Sequence, residues 1–219
     1  MRRLSLTRCV WPACRTDGIG HLIRYIERIV SRGQLIPESV DPEWVGEVLR
    51  FWFEDIGKRH WFTRNDQVDS QILQRFLTLH TRLAGLDGIG MVGPRQILAA
   101  IVVLDQFSRN LFRDSHRAFS ADPIARRLSR SALEQSFDIA MKPEERYFLY
   151  LPFEHSEDPQ DQALAVNLIS ALGNESWTRS AIDHKAIVDR FGRFPHRNSV
   201  LNRVSTTDET EFLNRGIRY

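Results

Sequence analysis

The side chains best suited to chemistry in this sequence fall into three short polar stretches. The first consists of Asp105, Gln106, Arg109 and Asn110, and it follows directly on the apolar run 97–104. A carboxylate and a guanidinium four residues apart on a helix form an ion pair, and buried charges need such partners. The pattern therefore predicts a buried helix that turns polar on one side, either lining a polar cavity or fixing helix packing through an internal ion pair.

The second stretch, PFEHSED at residues 152–158, comes directly after a dense apolar helix. It places Glu154, Ser156 and Glu157 beside His155. Neighbouring carboxylates raise the pKa of an imidazole, so His155 is a candidate proton carrier, with Glu154 or Glu157 orienting it. The alternative interpretation is a solvated helix end.

The third stretch, FGRFPHRN at residues 191–198, combines loop-forming glycine and proline with two phenylalanine anchors. It displays Arg193, His196, Arg197 and Asn198. Arginines at this spacing can clamp a carboxylate or phosphate, or they can neutralise the acids of the second stretch. His196, like His155, is a candidate proton carrier.

Other kinds of site are not favoured. The GxGxxG run at 88–93 follows a helix rather than a strand, so it predicts a flexible connection instead of a nucleotide site. There is no GxSxG elbow, and the cysteines, Cys9 and Cys14, lie near the start of the chain. No metal and no cofactor are predicted, because zinc-type spacing is missing and the nearby arginines disfavour a cation. The candidate metal ligands considered are Glu154, His155, Glu157, His184 and His196.

Composition favours a globular protein of the reducing cytoplasm. The 219 residues are 42% hydrophobic and 26% charged, with a formal net charge of +2, which does not indicate nucleic acid as a partner. No run of about 18 apolar residues predicts a membrane span. Residues 1–16 carry arginines but no acids, so organelle targeting is the alternative, beside a disordered tail or a start site assigned too far upstream.

The elements that must position these side chains are helices. Residues 1–40 are expected to be an N-terminal extension, partly disordered, with one short amphipathic helix, and residues 41–219 a single helical domain. Helix starts are predicted at Asp41-Pro42 and Asp122-Pro123, each with the aspartate as N-cap, and at Pro143. A helix end is predicted at Gly192, and a capping box at Ser205 or Thr206. No strand is predicted. The fold class is all-α, built of antiparallel helix pairs.

Long motifs give the chain a family resemblance. LDQFSRNLFR at 104–113, LPFEHSED at 151–158 and HKAIVDRFGRFPHRN at 184–198, with FWF at 51–53 and WF at 61–62, resemble the bacterial domain of unknown function 924 family over about residues 41–214. The resemblance implies a helical fold similar to tetratricopeptide-repeat proteins, with the motif residues gathered together. The family has a tryptophan in the loop before residue 94 and a glycine where Asn202 stands here. The motif positions carried over are Asp105, Gln106, Arg109, Asn110, Glu154, His155, Ser156, Glu157, His184, Arg193, His196, Arg197 and Asn198.

These patterns support two functional hypotheses. In the first, the three stretches converge on one polar pocket that binds a small anionic ligand through Arg193 and Arg197. In the second, the chain is a protein or peptide interaction module, and the motif residues form a structural ion-pair network. The sequence does not decide whether the protein is an enzyme.

Overall fold

The computed structural model describes residues 41–87 and 90–216. The predictions made for residues 1–40, including the amphipathic helix and the targeting segment, lie outside the described residues. So does part of the glycine-rich loop at 88–93.

The described chain is helical, and it contains no strand in residues 41–87 and 90–216, which confirms the all-α class. Similarity to tetratricopeptide-repeat proteins stays a prediction. Short 3₁₀ turns lie at His116–Phe119, Phe137–Ala140 and Pro195–Arg197. The α-helices are α1 (Glu43–Arg50), α2 (Asp66–Gly85), α3 (Pro94–Ile101), α4 (Ser108–Leu111), α5 (Asp122–Glu134), α6 (Pro143–Glu154), α7 (Pro159–Ser170), α8 (Glu175–Phe191) and α9 (Thr207–Asn214).

Several helix ends have the local chemistry that the sequence predicted. Thr206 caps α9 in a capping box with Glu209, and Gly192 ends α8 in the left-handed conformation at φ 69°. Asn202 also has a positive φ of 54°, which accounts for the family's glycine at this position, because glycine adopts that conformation without strain.

Two predicted helix caps were wrong. Asp41 and Asp122 each precede a proline, but neither carboxylate caps its helix, and the N-cap residues are Pro42 and Ala121. The carboxylate of Asp41 instead accepts a hydrogen bond from Arg95, and that of Asp122 pairs with an arginine of α4. Charged partners outside the helix compete successfully for these acids because a carboxylate–guanidinium bond is stronger than a neutral one.

The central helix, residues 94–111, changes geometry in the middle. Between α3 and α4, Val102–Phe107 forms a π-helical segment, whose hydrogen bonds span five residues rather than four. A second π-helical segment, Phe51–Ile56, extends α1. The sequence predicted one continuous helix through residues 102–107 and did not indicate π-helical geometry in either place. Such segments hold one residue more per turn than an α-helix and are frequent at functional sites.

The core surrounds the central helix. Every side chain from residue 97 to residue 107 is buried, and Phe107 packs against Phe51, Trp52 and Phe76. Phe51 and Trp52 are both buried and fill this core. The remaining helices extend this core, because α6 packs on α7, and α7 on α8, through short connections that make neighbours antiparallel.

A buried hydrogen-bond pair ties the central helix to α2. The Ser108 hydroxyl donates to the carbonyl of Leu104 at 2.6 Å, so it must accept from His80 Nε2, which lies 2.7 Å away. Burial lowers the pKa of His80, which keeps its imidazole neutral. This pair fixes the start of α4 and with it the direction of the polar side chains that follow.

Candidate functional site

A cavity of about 770 Å³ lies where the central helix, α6, α8 and the turn after α8 meet. The volume is in the range of small-molecule sites. Members of all three polar stretches line it, as the sequence hypothesis required. These are Gln106, Arg109, Asn110, Glu154, His155, His196 and Arg197, and His184 of the family motif at 184–198 lines the cavity as well.

Asp105 and His155 form a carboxylate–imidazole pair beside the cavity. His155 Nδ1 lies 2.8 Å from Asp105 Oδ1 and must donate, because an ionised carboxylate only accepts. Burial alone would raise the pKa of Asp105, but Arg109, whose Nη1 is 3.2 Å away, and His155 outweigh burial and hold that pKa well below its usual range. Asp105 therefore stays ionised and fixes the imidazole so that Nε2 is the acceptor nitrogen.

The pKa of His155 departs from the expectation. Neighbouring carboxylates were predicted to raise it, but burial lowers it more than Asp105 raises it. The desolvation of a charged imidazole outweighs one ion pair. At neutral pH His155 is thus uncharged and able to accept a proton at Nε2, which is the arrangement of a general base.

Two arginines share one carboxylate at the cavity wall. Arg109 donates two parallel hydrogen bonds to Asp122, at 3.0 and 3.1 Å, whereas Arg197 Nη1 is 3.7 Å from the same carboxylate. The Arg197 guanidinium lies over Phe119 and Phe194, each ring centroid 4.5 Å away. Its N–H groups donate no hydrogen bond to any residue in the described ranges.

Burial and the neighbouring Arg109 lower the pKa of Arg197 to about 10. Its side chain is only 8% exposed. Arg197 remains charged at neutral pH, and it is a buried cation whose hydrogen-bond donors lack an acceptor among the described residues. Groups of this kind are costly unless a partner satisfies them.

Glu154, which precedes His155 in the chain, is a buried acid in the cavity lining. Its Oε1 accepts a hydrogen bond from Ser180 at 2.8 Å and lies 3.1 Å from His184 Nδ1. Its Oε2 is buried and has no hydrogen-bond partner among the described residues. Burial raises the pKa of Glu154 to about 7 and lowers that of His184 to about 4, so this pair holds its proton on the carboxyl group at slightly acidic pH.

Five of the predicted site residues do not line the cavity: Asp105 lies against His155 and Arg109, and the other four have partners elsewhere. The Ser156 hydroxyl accepts from Arg126 and donates to Asp161. The other three are Glu157, Arg193 and Asn198. Arg193, predicted to contribute to an anion clamp, does not line the cavity and donates to both oxygens of Glu209, at 2.6 and 2.8 Å.

The other two residues, Glu157 and Asn198, also bind side chains of this chain outside the cavity. Both oxygens of Glu157 accept hydrogen bonds from Arg203, at 2.6 and 2.9 Å, so Glu157 does not orient a histidine. Asn198 donates to Ser205 and Glu209 and accepts from Arg203. In this part of the motif the predicted ion-pair network is what the structure contains, and it holds the loop that carries Arg197.

Sequence reasoning missed part of the cavity wall. Trp61, Phe62, Tyr147 and Trp177 line it, although they carry the pattern of core residues. Asp122, the shared acid, has the sequence pattern of a helix cap. The additional basic side chains at the wall are Arg64, Arg113 and Arg179. Arg113 continues the four-residue spacing of Asp105 and Arg109, but no local pattern assigns the others to a cavity, because only the packing of distant helices brings them together.

Two kinds of feature are missing from residues 41–87 and 90–216. No group of three or more histidine, cysteine, aspartate and glutamate side chains there is arranged to hold a metal ion. No helix in the same ranges has the length and hydropathy needed to cross a membrane.

Comparison with known proteins defines the family. The chain is similar to a protein of unknown function from Agrobacterium tumefaciens, with 35% sequence identity and a TM-score of 0.75, over 78% of this chain and 97% of that one. A search of curated proteins found none with significant similarity to this chain. Residues 48–216 match the profile of the family described as "Bacterial protein of unknown function (DUF924)". This match spans most of the chain and includes all three polar stretches, so the protein belongs to the DUF924 family.

Proposed function

We propose that the cavity binds a small anionic ligand and that Arg197 is its principal anion-binding group. The observation that carries the proposal is that Arg197 lines the cavity with a side chain only 8% exposed, yet it donates no hydrogen bond to the described residues and lies 3.7 Å from the carboxylate of Asp122. A carboxylate or phosphate matches the planar fork of a guanidinium and can accept two hydrogen bonds from it.

The charge of the wall supports the same ligand class. The described lining contains five arginines, at positions 64, 109, 113, 179 and 197, but only two acids, Glu154 and Asp183. One of these acids, Glu154, is partly protonated at neutral pH because burial raises its pKa to about 7. Arg64, Arg109 and Arg113 pair with Asp66, Asp122 and Asp69, which do not line the cavity, so a bound anion chiefly supplies counter-charge to Arg179 and Arg197.

His155 is the proposed proton carrier of the site. Asp105 holds its Nδ1, so Nε2 is the nitrogen that accepts a proton from a bound group. A ligand anion near the imidazole favours its charged form and raises its pKa. Binding is therefore expected to be accompanied by proton uptake when the pH is slightly acidic.

The experiment is isothermal titration calorimetry of the full chain with small carboxylates and phosphates. Wild type is compared with Arg197→Gln, which keeps the approximate shape but removes the charge. Hydrogen bonds to charged groups contribute about 1.5–3 kcal/mol, so the variant should bind about ten- to a hundredfold more weakly. The matched control is Arg82→Gln, because Arg82 is exposed on α2 and does not line the cavity.

Two results would contradict the proposal. The first is that no carboxylate or phosphate in the panel binds wild type. The second is that Arg197→Gln binds the same anions as tightly as wild type and Arg82→Gln do. Interaction with a protein or peptide and the cytoplasmic location stay predictions from the sequence.

A further inference from the structure

We infer that the anion bound by this cavity carries a planar aromatic ring, held by Phe62 and Trp177 while its carboxylate or phosphate meets Arg197. This inference rests on the proposed function and narrows its ligand class. It comes from an aromatic patch that lines the same cavity and consists of Trp61, Phe62, Tyr147 and Trp177.

The aromatic patch is one continuous set of rings. Tyr147 and Trp177 are stacked, with centroids 4.4 Å apart and planes at 5°. Phe62 meets Tyr147 edge to face at 6.0 Å, and Trp61 meets Phe62 at 6.4 Å. The rings belong to the α1–α2 connection, α6 and α8, so the fold assembles them from separate parts of the chain.

Phe62 is the member of the patch that points to a ligand. One side of its ring is stacked on the buried Phe148, with planes at 11°, yet 60% of Phe62 is exposed. An exposed phenylalanine leaves apolar surface in water, and covering that surface with another ring is favourable. Its position in the wall of a polar cavity means that a ligand in the cavity can cover it.

The aromatic patch and the arginines together restrict the ligand. A purely apolar molecule would leave Arg197 without an acceptor, and a bare inorganic ion would leave Phe62 uncovered. The volume of about 770 Å³ is far larger than a single oxyanion requires. A ring joined to a carboxylate or phosphate satisfies both parts of the wall, and rings that meet rings edge to face or offset-stacked gain more than an alkyl group does.

The test uses calorimetry with defined probes on the full chain. Phenyl phosphate is compared with inorganic phosphate, and benzoate with acetate, so the two anionic groups are distinguished. Cyclohexanecarboxylate tests planarity at constant charge. Wild type should bind the aromatic member of each matched pair at least about tenfold more tightly, equivalent to about 1.4 kcal/mol, for whichever anionic group binds. Benzoate, if carboxylates bind, should also exceed cyclohexanecarboxylate.

Phe62→Ala should remove most of this preference and leave the affinity for inorganic phosphate or acetate unchanged. Phe62 is exposed, so the variant keeps the buried core. The matched control is Ile139→Ala, because Ile139 is 76% exposed and lies outside the cavity. In that variant the aromatic preference should equal that of wild type.

The outcomes separate this inference from the proposed function. If the anions bind through Arg197 but the ring adds no affinity, or cyclohexanecarboxylate equals benzoate, the aromatic inference is wrong and the proposed function stands. An aromatic preference that persists in Phe62→Ala also overturns the inference. If no anion binds wild type, with or without a ring, both proposals fail.

Discussion

Replacing Glu154 with glutamine tests the electrostatics of the cavity without a ligand. Burial raises the pKa of this carboxyl group from 4.5 to about 7. In the unfolded chain the group ionises near 4.5, so wild type loses stability as the pH rises from about 4.5 through about 7. A shift of roughly 2.5 units at 1.36 kcal/mol each amounts to about 3 kcal/mol. The side chain is 1% exposed, so solvent screening reduces this value little.

Glu154→Gln has no group to ionise at this position and should escape the loss. Its Oε1 can still accept the hydrogen bond from Ser180. We therefore expect the variant to be more stable than wild type by up to about 3 kcal/mol at about pH 8, with a much smaller difference at about pH 4.5. The measurement is urea denaturation of both proteins at the two pH values.

The comparison isolates Glu154 from its neighbours. His184 also contacts this carboxyl group, but its pKa is lowered to about 4, so it stays mostly neutral across the pH window in wild type. Glu134→Gln is the matched control, because Glu134 is exposed on α5. If Glu154→Gln and wild type lose stability in parallel as the pH rises, the buried-acid argument is refuted.

Three further perturbations follow from the contacts described above. Ser108→Ala leaves the buried N–H of His80 without an acceptor and should destabilise the protein by about 1–3 kcal/mol. Urea denaturation measures this loss, and an unchanged midpoint would contradict the assigned hydrogen bond. Arg193→Gln should lower the melting temperature, because it removes the ion pair with Glu209, and should leave the affinity for anions unchanged. Weaker anion binding by this variant would show that Arg193 contributes to the binding site. Wild type should take up protons when it binds an anion at about pH 6. Burial lowers the pKa of His155 in the free protein, and a bound anion raises that pKa again. The proton uptake is measured as a binding enthalpy that depends on the buffer. His155→Gln should reduce that uptake, and uptake equal to wild type would assign it elsewhere.

The sequence predicted the fold well because local signals specify helix ends. Gly192 and the Thr206 capping box act within a few residues, so their chemistry is visible in the printed order. The π-helical segments were not predicted, because the same apolar residues are compatible with an α-helix. Only packing around residues 102–107 selects between the two.

The sequence predicted that the three polar stretches come together, but it could not tell which of their residues face the cavity, because that depends on packing between distant parts of the chain. Arg193 and Arg197 occupy the same loop with the same residue type, and the sequence treats them alike. Their roles separate in three dimensions, because Glu209 of α9 neutralises one of them and Phe119 and Phe194 cover the faces of the other. Partners distant in sequence decide which of two equivalent arginines is available.

The π-helical segment Val102–Phe107 determines how far the side chains of α4 are rotated about the helix axis relative to those of α3. Each residue of an α-helix turns the chain by about 100°. A π-helical turn holds about one residue more than an α-helical turn, so the segment accommodates an extra residue while the residues after it keep their direction. Removing one residue from 102–107 would let the segment close into α-helix and leave Arg109 facing Asp122. Removing one residue from α3, which has no such segment, would instead rotate the polar side chains that follow by about 100° relative to the core. Only the second deletion is therefore expected to dismantle the cavity.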